Sequence, residues 1–204
     1  MRNVIYVLGN IPDEGSLQLL SKLSRDPDRK VRLEVTSALE KIAKPQSVEA
    51  LVALLDDPDD EIRTRVIASL ATLGDRSCLE RLKQHIRHNH KDGPAAIAAV
   101  GKIGGEESTD FLLNLLWETS PATSALPSKQ KDEIRVAGLN ALSKIGSPRL
   151  TSEIERFVTH RRGGLRGLLV RDKVMEAADR ALKAIRNKDK GGTAGNPRKT
   201  TAGS

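Results

Sequence analysis

The sequence predicts an all-α protein built from stacked helix pairs, and three observations lead to this fold class. One phrase occurs twice: LSRDPDRKVRLEVTSALEKI begins at Leu23, and LLDDPDDEIRTRVIASLATL begins at Leu54. Aromatic residues make up only 2% of the 204 residues, so the core must consist of Leu, Ile, Val and Ala, which suits packed helices. Within each phrase, apolar residues recur at spacings of three and four, which is the period of a buried helical stripe.

The repetition extends along most of the chain. Shifting the sequence by 31 residues places Val4, Leu8 and Ile11 on Val35, Leu39 and Ile42. Later copies are AAIAAVGKIGG, EIRVAGLNALSKIG and VMEAADRALKAI. The predicted repeats span approximately 1–24, 25–56, 57–90, 91–118 and 130–160, followed by a final helix at 168–187. Such a period is typical of repeat proteins, in which each unit buries its apolar face against its neighbours.

Each copy predicts the same order of elements. Asp and Pro open the first helix, because Asp caps free backbone N–H groups and Pro fits the first turn. A break that often contains glycine follows, as at Gly74 and Gly146, and this suits a helix C-cap. A second, shorter helix then begins, for example SVEALVALL from Ser47 or TDFLLNLLW from Thr109.

The phrase D-P-D-x-x-[VI]-R-x-x-[VI]-x-x-[SA]-L-x-x-[IL]-G resembles the short bacterial HEAT repeat that is named for phycobilin lyase subunits. The resemblance covers roughly residues 2–187. It implies a HEAT-like solenoid, a right-handed α–α superhelix of about five helix pairs plus a terminal helix. It implies little about function, because solenoids of this kind serve many roles.

The resemblance also implies a ladder of arginines near the start of the first helices. Arg32, Arg63 and Arg135 match this position, whereas Met1, Gly93 and Met175 depart from it. We expect these arginines to fasten neighbouring repeats through carboxylates such as Asp28 and Asp59.

The formal net charge is +7, and the basic excess lies in the last quarter of the chain. The single cysteine, Cys78, excludes an internal disulfide, and no apolar run reaches the length of a membrane span. We therefore expect a cytoplasmic protein. The Ser-, Pro- and Lys-rich insert at 118–132 predicts a surface loop, and 188–204 predicts a disordered basic tail.

The first helix predicts an unusual apolar surface. It presents Val4, Ile5, Val7 and Leu8 with no preceding repeat to cover part of them. Repeat arrays need polar caps at their ends. We hypothesise that the chain is a section of a longer solenoid, or that this end packs on another protein or another copy.

Aligning the second helices predicts which side chains face a partner. The candidate partner-binding residues are Gln18, Lys22, Glu49, Glu80, Gln84, Asp110, Asn114, Trp117, Ser152 and Arg156. Trp117 could be an exposed binding hot spot or could be covered by the adjacent insert, and the sequence leaves both alternatives open.

Other candidate sites have weaker signals. His85 and His88 lie one helical turn apart, with His90 beyond, but no second ligand cluster accompanies them, so solvated surface histidines are expected. Asp92 is expected to cap the helix that starts at Pro94. A basic cluster could contact polyanions such as nucleic acid, although aromatic residues for base stacking are few. Its members are Arg161, Arg162, Arg166 and Arg171.

No phosphate loop, serine elbow or C-x-x-C motif occurs, and the sequence predicts neither a cofactor nor a catalytic residue. The interpretation favoured by the sequence is a non-catalytic scaffold that binds another protein. The alternatives are a polyanion-binding protein that uses the basic C-terminal quarter, and a subunit similar to phycobilin lyases.

Overall fold

The computed structural model describes residues 2–11, 13–89, 91–117, 126–162 and 172–193. The α-helices are α1 (Arg2–Leu8), α2 (Glu14–Leu23), α3 (Arg29–Ile42), α4 (Val48–Ala53), α5 (Asp60–Leu73), α6 (Leu79–His88), α7 (Gly93–Ile103), α8 (Glu106–Asn114), α9 (Ser128–Ile145), α10 (Arg149–Arg162) and α11 (Lys173–Thr193). Three short 3₁₀ helices, Pro45–Ser47, Leu54–Asp56 and Arg76–Cys78, flank α4 and precede α6. The all-α prediction is confirmed.

The helices stack as pairs along one continuous core. Odd-numbered helices α1 to α9 pack against one another in sequence, each even-numbered helix packs on the first helix of the following repeat, and α11 also packs on α9. The predicted stripe residues are buried in successive pairs, among them Leu20, Leu39, Leu51, Leu70 and Leu82. Each pair therefore covers apolar surface of the next, as the repeat pattern predicts.

Helix ends follow the chemistry of the repeated phrase. The Asp59 carboxylate accepts hydrogen bonds from the N–H groups of Glu61 and Ile62 at the start of α5, which satisfies N–H groups that lack partners within the helix. At the other end, Gly74 adopts the left-handed conformation with φ of 66°, which glycine reaches without steric cost.

Two pairs of neighbouring first helices, α1 with α3 and α7 with α9, approach each other closely at a glycine. A Cβ atom placed on Gly9 would lie 3.0 Å from Ala38 Cβ, and one on Gly101 would lie 2.7 Å from Ala141 Cβ. The corresponding position in α3 is Glu40, and there a cleft of about 270 Å³ opens between α3 and α5. Glycine at this position thus permits close helix contact, whereas a side chain holds the helices further apart.

Two predicted boundaries differ from the structure. Helix α9 begins at Ser128, so the last part of the predicted 118–132 loop is helical, and residues 118–125 lie outside the described residues. Helix α11 runs from Lys173 to Thr193 rather than from 168 to 187. The rest of the predicted tail, 194–204, lies outside the described residues.

Candidate functional site

Arginines near the start of the first helices join neighbouring repeats. Arg32 Nε lies 2.6 Å from Asp57 Oδ2, and Arg32 Nη1 donates to the carbonyl oxygens of Asp26 and Pro27. The Asp57 side chain is 2% exposed. Its hydrogen bond with Arg32 raises the pKa of the arginine. Arg32 therefore ties the turn before its own helix to the first residues of the next repeat.

The next junction has the same plan, and its arginine is more deeply buried than Arg32. Arg63 Nε lies 2.6 Å from Asp92 Oδ2, and Nη1 donates to the Asp57 carbonyl oxygen at 2.7 Å. The side chains of Arg63 and Asp92 are 8% and 6% exposed. Asp92 Oδ2 also lies 3.3 Å from Nε2 of His85, which is buried as well. A buried polar network thus connects α5, α6 and the start of α7.

The structure corrects the predicted partners of these arginines. The prediction of Asp28 and Asp59 is wrong, because both carboxylates accept hydrogen bonds from backbone N–H groups as helix caps. Asp59 Oδ2 also accepts a hydrogen bond from Arg29 Nε at 2.6 Å, and this hydrogen bond lowers the pKa of the Asp59 carboxyl group. The carboxylate that meets Arg32 lies two residues earlier, at Asp57.

The C-terminal end of the array uses a different arrangement. Arg135 donates from Nε to the Leu116 carbonyl oxygen at 3.0 Å and pairs with Asp132. Arg161 joins Asp132 to Asp172 at 3.1 and 2.6 Å. Burial works to raise the pKa of Asp172, but hydrogen bonds from Arg161 and from the Val174 N–H group, together with the nearby arginine charges, outweigh it, and the pKa is lowered. Arg161 thus links α9, α10 and the start of α11.

These contacts bear on the candidate polyanion cluster. Arg161 is 22% exposed and holds two carboxylates, so a phosphate would have to compete with both. Arg162 is exposed at the end of α10. Arg166 and Arg171 lie outside the described residues.

The predicted partner-binding row lies on successive second helices. Its exposed members are Gln18, Lys22, Glu49, Glu80, Asp110, Asn114, Ser152 and Arg156, and its half-buried members are Gln84 and Trp117. Between α6 and α10 the row is crossed by ion pairs. Asp110 lies 3.5 Å from Arg149, and Glu80 lies 3.7 Å from Lys83. The surface is therefore polar and mixed in charge, with acidic residues on α4 to α8 and Arg156 at its far end.

Trp117 packs against the following helix pair instead of projecting freely. Its ring meets the rings of Phe157 and His160 edge-on, with centroids 5.9 and 5.5 Å apart. The guanidinium carbon of Arg156 lies 5.6 Å from the Trp117 ring centroid, within the range of a cation–π interaction. Trp117 therefore supports α10 and positions Arg156 on the row. Residues 118–125 of the insert, which the sequence offered as an alternative cover for Trp117, lie outside the described residues.

The histidines differ from the expected surface placement. His85 is buried against Asp92, so the surface prediction is wrong for this residue, while His88 is exposed and contacts the Gln84 carbonyl oxygen. His90 lies outside the described residues. Asp92 is the N-cap residue of α7, as expected, but its side chain makes no capping hydrogen bond and contacts Arg63 and His85 instead.

Within the described ranges, no three His, Cys, Asp or Glu side chains are grouped to hold a metal ion. No helix in the part of the chain that the structure describes is long and apolar enough to cross a membrane.

The sequence analysis did not identify Asp57 and Asp92 as the partners of Arg32 and Arg63. The available signal is position, since Asp57 stands 25 residues after Arg32 and Asp92 stands 29 after Arg63. Each is the aspartate that opens the following repeat. Buried Lys83, which pairs with Glu107 of the next repeat, carries no such signal, because lysine is usually exposed.

Stacked helix pairs that share one core and are joined by repeated ionic contacts define an α-helical repeat protein. A family model described as HEAT repeats matches residues 1–71 and 49–125, which together cover more than half of the chain. The chain therefore belongs to the HEAT-repeat family. The match does not extend to the phycobilin-lyase type, which stays a prediction.

Solved structures similar to the chain include two engineered proteins. One has 20% sequence identity and a TM-score of 0.44, over 90% of this chain and 84% of that one. The other has 21% identity and a TM-score of 0.44, over 88% of this chain and 50% of that one. Neither similarity bears on the function of this chain. A search of curated proteins found no match.

Proposed function

We propose that the protein is a non-catalytic, cytoplasmic scaffold that binds another protein along the exposed row of its second helices. One observation supports this proposal above others: each of five successive second helices, from α2 with Gln18 to α10 with Arg156, has exposed side chains at the predicted positions. HEAT repeats commonly mediate protein interactions, and such a surface offers one contact set per repeat.

Charge indicates what kind of segment would fit the row. Glu49, Glu80 and Asp110 are exposed on α4, α6 and α8, and the side chain of Asp56, in the 3₁₀ helix that follows α4, is 68% exposed. The opposing cations Arg81 and Arg149 are already engaged by Asp56 and Asp110. A partner segment with basic residues spaced one repeat apart would compete for these carboxylates, and the association rate would fall with salt.

A site-specific photocrosslinker tests the proposal in the organism of origin. The crosslinker is placed at Glu49, Glu80 or Asp110, and matched controls carry it at Thr64 and Ala98, which are exposed on first helices. We expect one protein to be captured at the second-helix positions and not at the controls. Equal capture at all positions, or capture at the controls alone, would contradict the proposal.

The identified partner then permits a quantitative test with purified proteins. Glu80→Lys and Asp110→Lys should weaken binding at least tenfold in calorimetry, because each reverses a charge in the row. Trp117→Ala is a poorer test, since it also removes the contacts with Phe157 and His160. A labelled DNA duplex mixed with the same protein examines the polyanion alternative, and a shift that disappears at high salt would favour it.

A further inference from the structure

The cleft of about 270 Å³ between α3 and α5 has a mainly apolar lining. Its residues come from the C-terminal halves of both helices and from the C-cap of α3. They are Leu39, Glu40, Ala43, Ala68, Ser69, Thr72 and Leu73. Ala43, Ala68 and Thr72 are exposed, whereas Leu39 is fully buried beneath them. We name this feature the α3–α5 cleft.

The polar groups of the lining already have hydrogen-bond partners. The Glu40 carboxylate accepts a hydrogen bond from Arg65 Nη2 at 2.6 Å. Ser69 Oγ donates to the Arg65 carbonyl oxygen at 2.9 Å, and Thr72 Oγ1 donates to the Ala68 carbonyl oxygen at 3.0 Å. A polar group that enters a protein cavity needs a partner of its own. The lining therefore favours an apolar occupant, which leaves these hydrogen bonds intact.

One residue of the lining has a backbone conformation that is unusual for its type. Ala43 closes α3 with φ of 46°, in the left-handed region where a Cβ atom is crowded. The helices α5 and α9 end at the same kind of position with Gly74 and Gly146. Ala43 thus adds a methyl group to the cleft at a conformational cost, and local backbone strain tends to occur at functional sites.

Two lysines lie at the end of the cleft where α3 and α5 terminate. Lys102 Nζ lies 3.2 Å from Thr72 Oγ1, and Lys44, which is exposed, directly follows Ala43. Among the described residues, neither lysine side chain is paired with a carboxylate. Helix C-termini attract cations in general, but here the cations stand beside an apolar cleft. An acidic group next to an apolar one would complement both features.

The volume of the cleft indicates the size of its occupant. An apolar cavity of about 150 Å³ accommodates benzene, whereas sites for small molecules usually measure roughly 300–1,000 Å³. At about 270 Å³, the α3–α5 cleft has room for one large side chain and is smaller than a usual site for a whole ligand. A side chain of a protein segment fits these dimensions.

We propose that the α3–α5 cleft docks a segment of a partner protein in which one large apolar side chain, Phe or Leu, is flanked by acidic residues. The apolar side chain enters the cleft, and a neighbouring carboxylate reaches Lys102 or Lys44. This partner differs in charge from the basic segment that fits the second-helix row. The inference goes beyond the proposed scaffold function and does not depend on it.

Nuclear magnetic resonance of the ¹⁵N-labelled full chain, at 22.2 kDa, tests the proposal with a defined probe. The probe is the acetylated and amidated pentapeptide DEFED, and the matched control peptides are DEAED and KKFKK. We expect DEFED to shift the amide signals of Ala43, Ala68 and Thr72 in a saturable way. Because one anchored side chain supplies most of the affinity, the dissociation constant should be on the order of 1 mM. DEAED and KKFKK should leave these signals unchanged.

Two pairs of variants localise the binding. Ala68→Leu fills the cleft and should raise the dissociation constant of DEFED about tenfold or more. Its control is Ala98→Leu, since Ala98 is the equivalent exposed residue on α7. Lys102→Glu should raise the constant about threefold or more, and its control is Lys30→Glu, the same charge reversal at the exposed start of α3. Circular dichroism should be the same for all four variants.

Three results would overturn the proposal. The first is the absence of saturable shifts at the cleft when DEFED is present at several times the expected dissociation constant. The second is equal binding of DEAED or KKFKK, because either would remove the need for an apolar anchor flanked by acidic residues. The third is an effect of Ala98→Leu or Lys30→Glu as large as that of its counterpart. The peptide is detected at the cleft and the photocrosslinked partner at the second-helix row, so failure of one proposal leaves the other intact.

Discussion

Replacing Arg63 with methionine removes the cation at the centre of a buried junction between repeats. Arg63 holds Asp92 at 2.6 Å and the Asp57 carbonyl oxygen at 2.7 Å, and its own side chain is 8% exposed. Methionine keeps most of the apolar volume but leaves Asp92, itself 6% exposed, without its cation. The remaining neighbour of Asp92 is His85, at 3.3 Å.

The expected loss is large because a buried charge loses its partner. Breaking a buried ion pair on one side typically costs about 3–5 kcal/mol, a substantial share of the roughly 5–15 kcal/mol that stabilises a natural domain. Equilibrium unfolding in urea, followed by circular dichroism, measures the change. The double variant Arg63→Met/Asp92→Asn should recover part of the loss, since it removes the unpaired carboxylate as well.

Arg65→Met is the matched control on the same helix. Arg65 also reaches a neighbouring repeat, at Glu40, but this pair is 35% and 30% exposed. An exposed pair of this kind is worth at most about 1 kcal/mol. A loss of stability from Arg63→Met no larger than that from Arg65→Met, or a double variant less stable than Arg63→Met alone, would contradict a stabilising buried pair between Arg63 and Asp92.

Three further predictions concern single positions in the packing of the helices. The hydroxyl of Ser108 is buried without a hydrogen-bond partner, whereas that of Ser47 donates to a backbone carbonyl at 2.7 Å. Ser108→Ala should therefore raise the free energy of unfolding by about 1 kcal/mol, and Ser47→Ala should lower it. Gly101→Ala should destabilise the fold by roughly 1–3 kcal/mol through its 2.7 Å clash, while Gly138→Ala, which meets no atom closer than 3.6 Å, should stabilise it slightly. Urea unfolding measures all four, and the opposite sign in either pair would contradict the packing described. Burial raises the pKa of the Cys78 thiol to about 11, so this group stabilises the fold below its ordinary pKa of 9.0 and the stabilisation is lost as the pH rises toward 11. Cys78→Ala should flatten that alkaline loss in urea titrations, and an unchanged profile would contradict it.

The sequence predicted the helix pairs well because their signals are local and repeated. The stripe through Val35 and Leu39, the Asp59 cap and the Gly74 C-cap each depend on residues within a few positions along the chain. Six copies of the same pattern also reduce the ambiguity of any single copy. The bounds of the second helices were less accurate, because short 3₁₀ segments such as Pro45–Ser47 have no clear period of their own.

Contacts between repeats were harder to predict, because they depend on geometry that spans about 30 residues. Asp28 and Asp57 are both aspartates in similar turns, yet only the carboxylate of Asp57 lies where Arg32 can reach it. The burial of His85 follows from Arg63 and Asp92 meeting beside it. Trp117 similarly packs on Phe157, a residue of the next helix pair. The spacing of residues along the sequence gives no signal for that contact.

Distances between spin labels along the second-helix row test the register on which the account rests. Labels replace Gln18, Glu80 and Ser152 in a Cys78→Ala background, and pulsed dipolar spectroscopy measures each pair. Adjacent helices pack about 10 Å apart, so Gln18 to Glu80, two repeats apart, should give about 20 Å. Gln18 to Ser152, four repeats apart, should give a clearly longer distance with a narrow distribution. Equal distances for both pairs, or broad distributions without a maximum, would contradict the ordered stack.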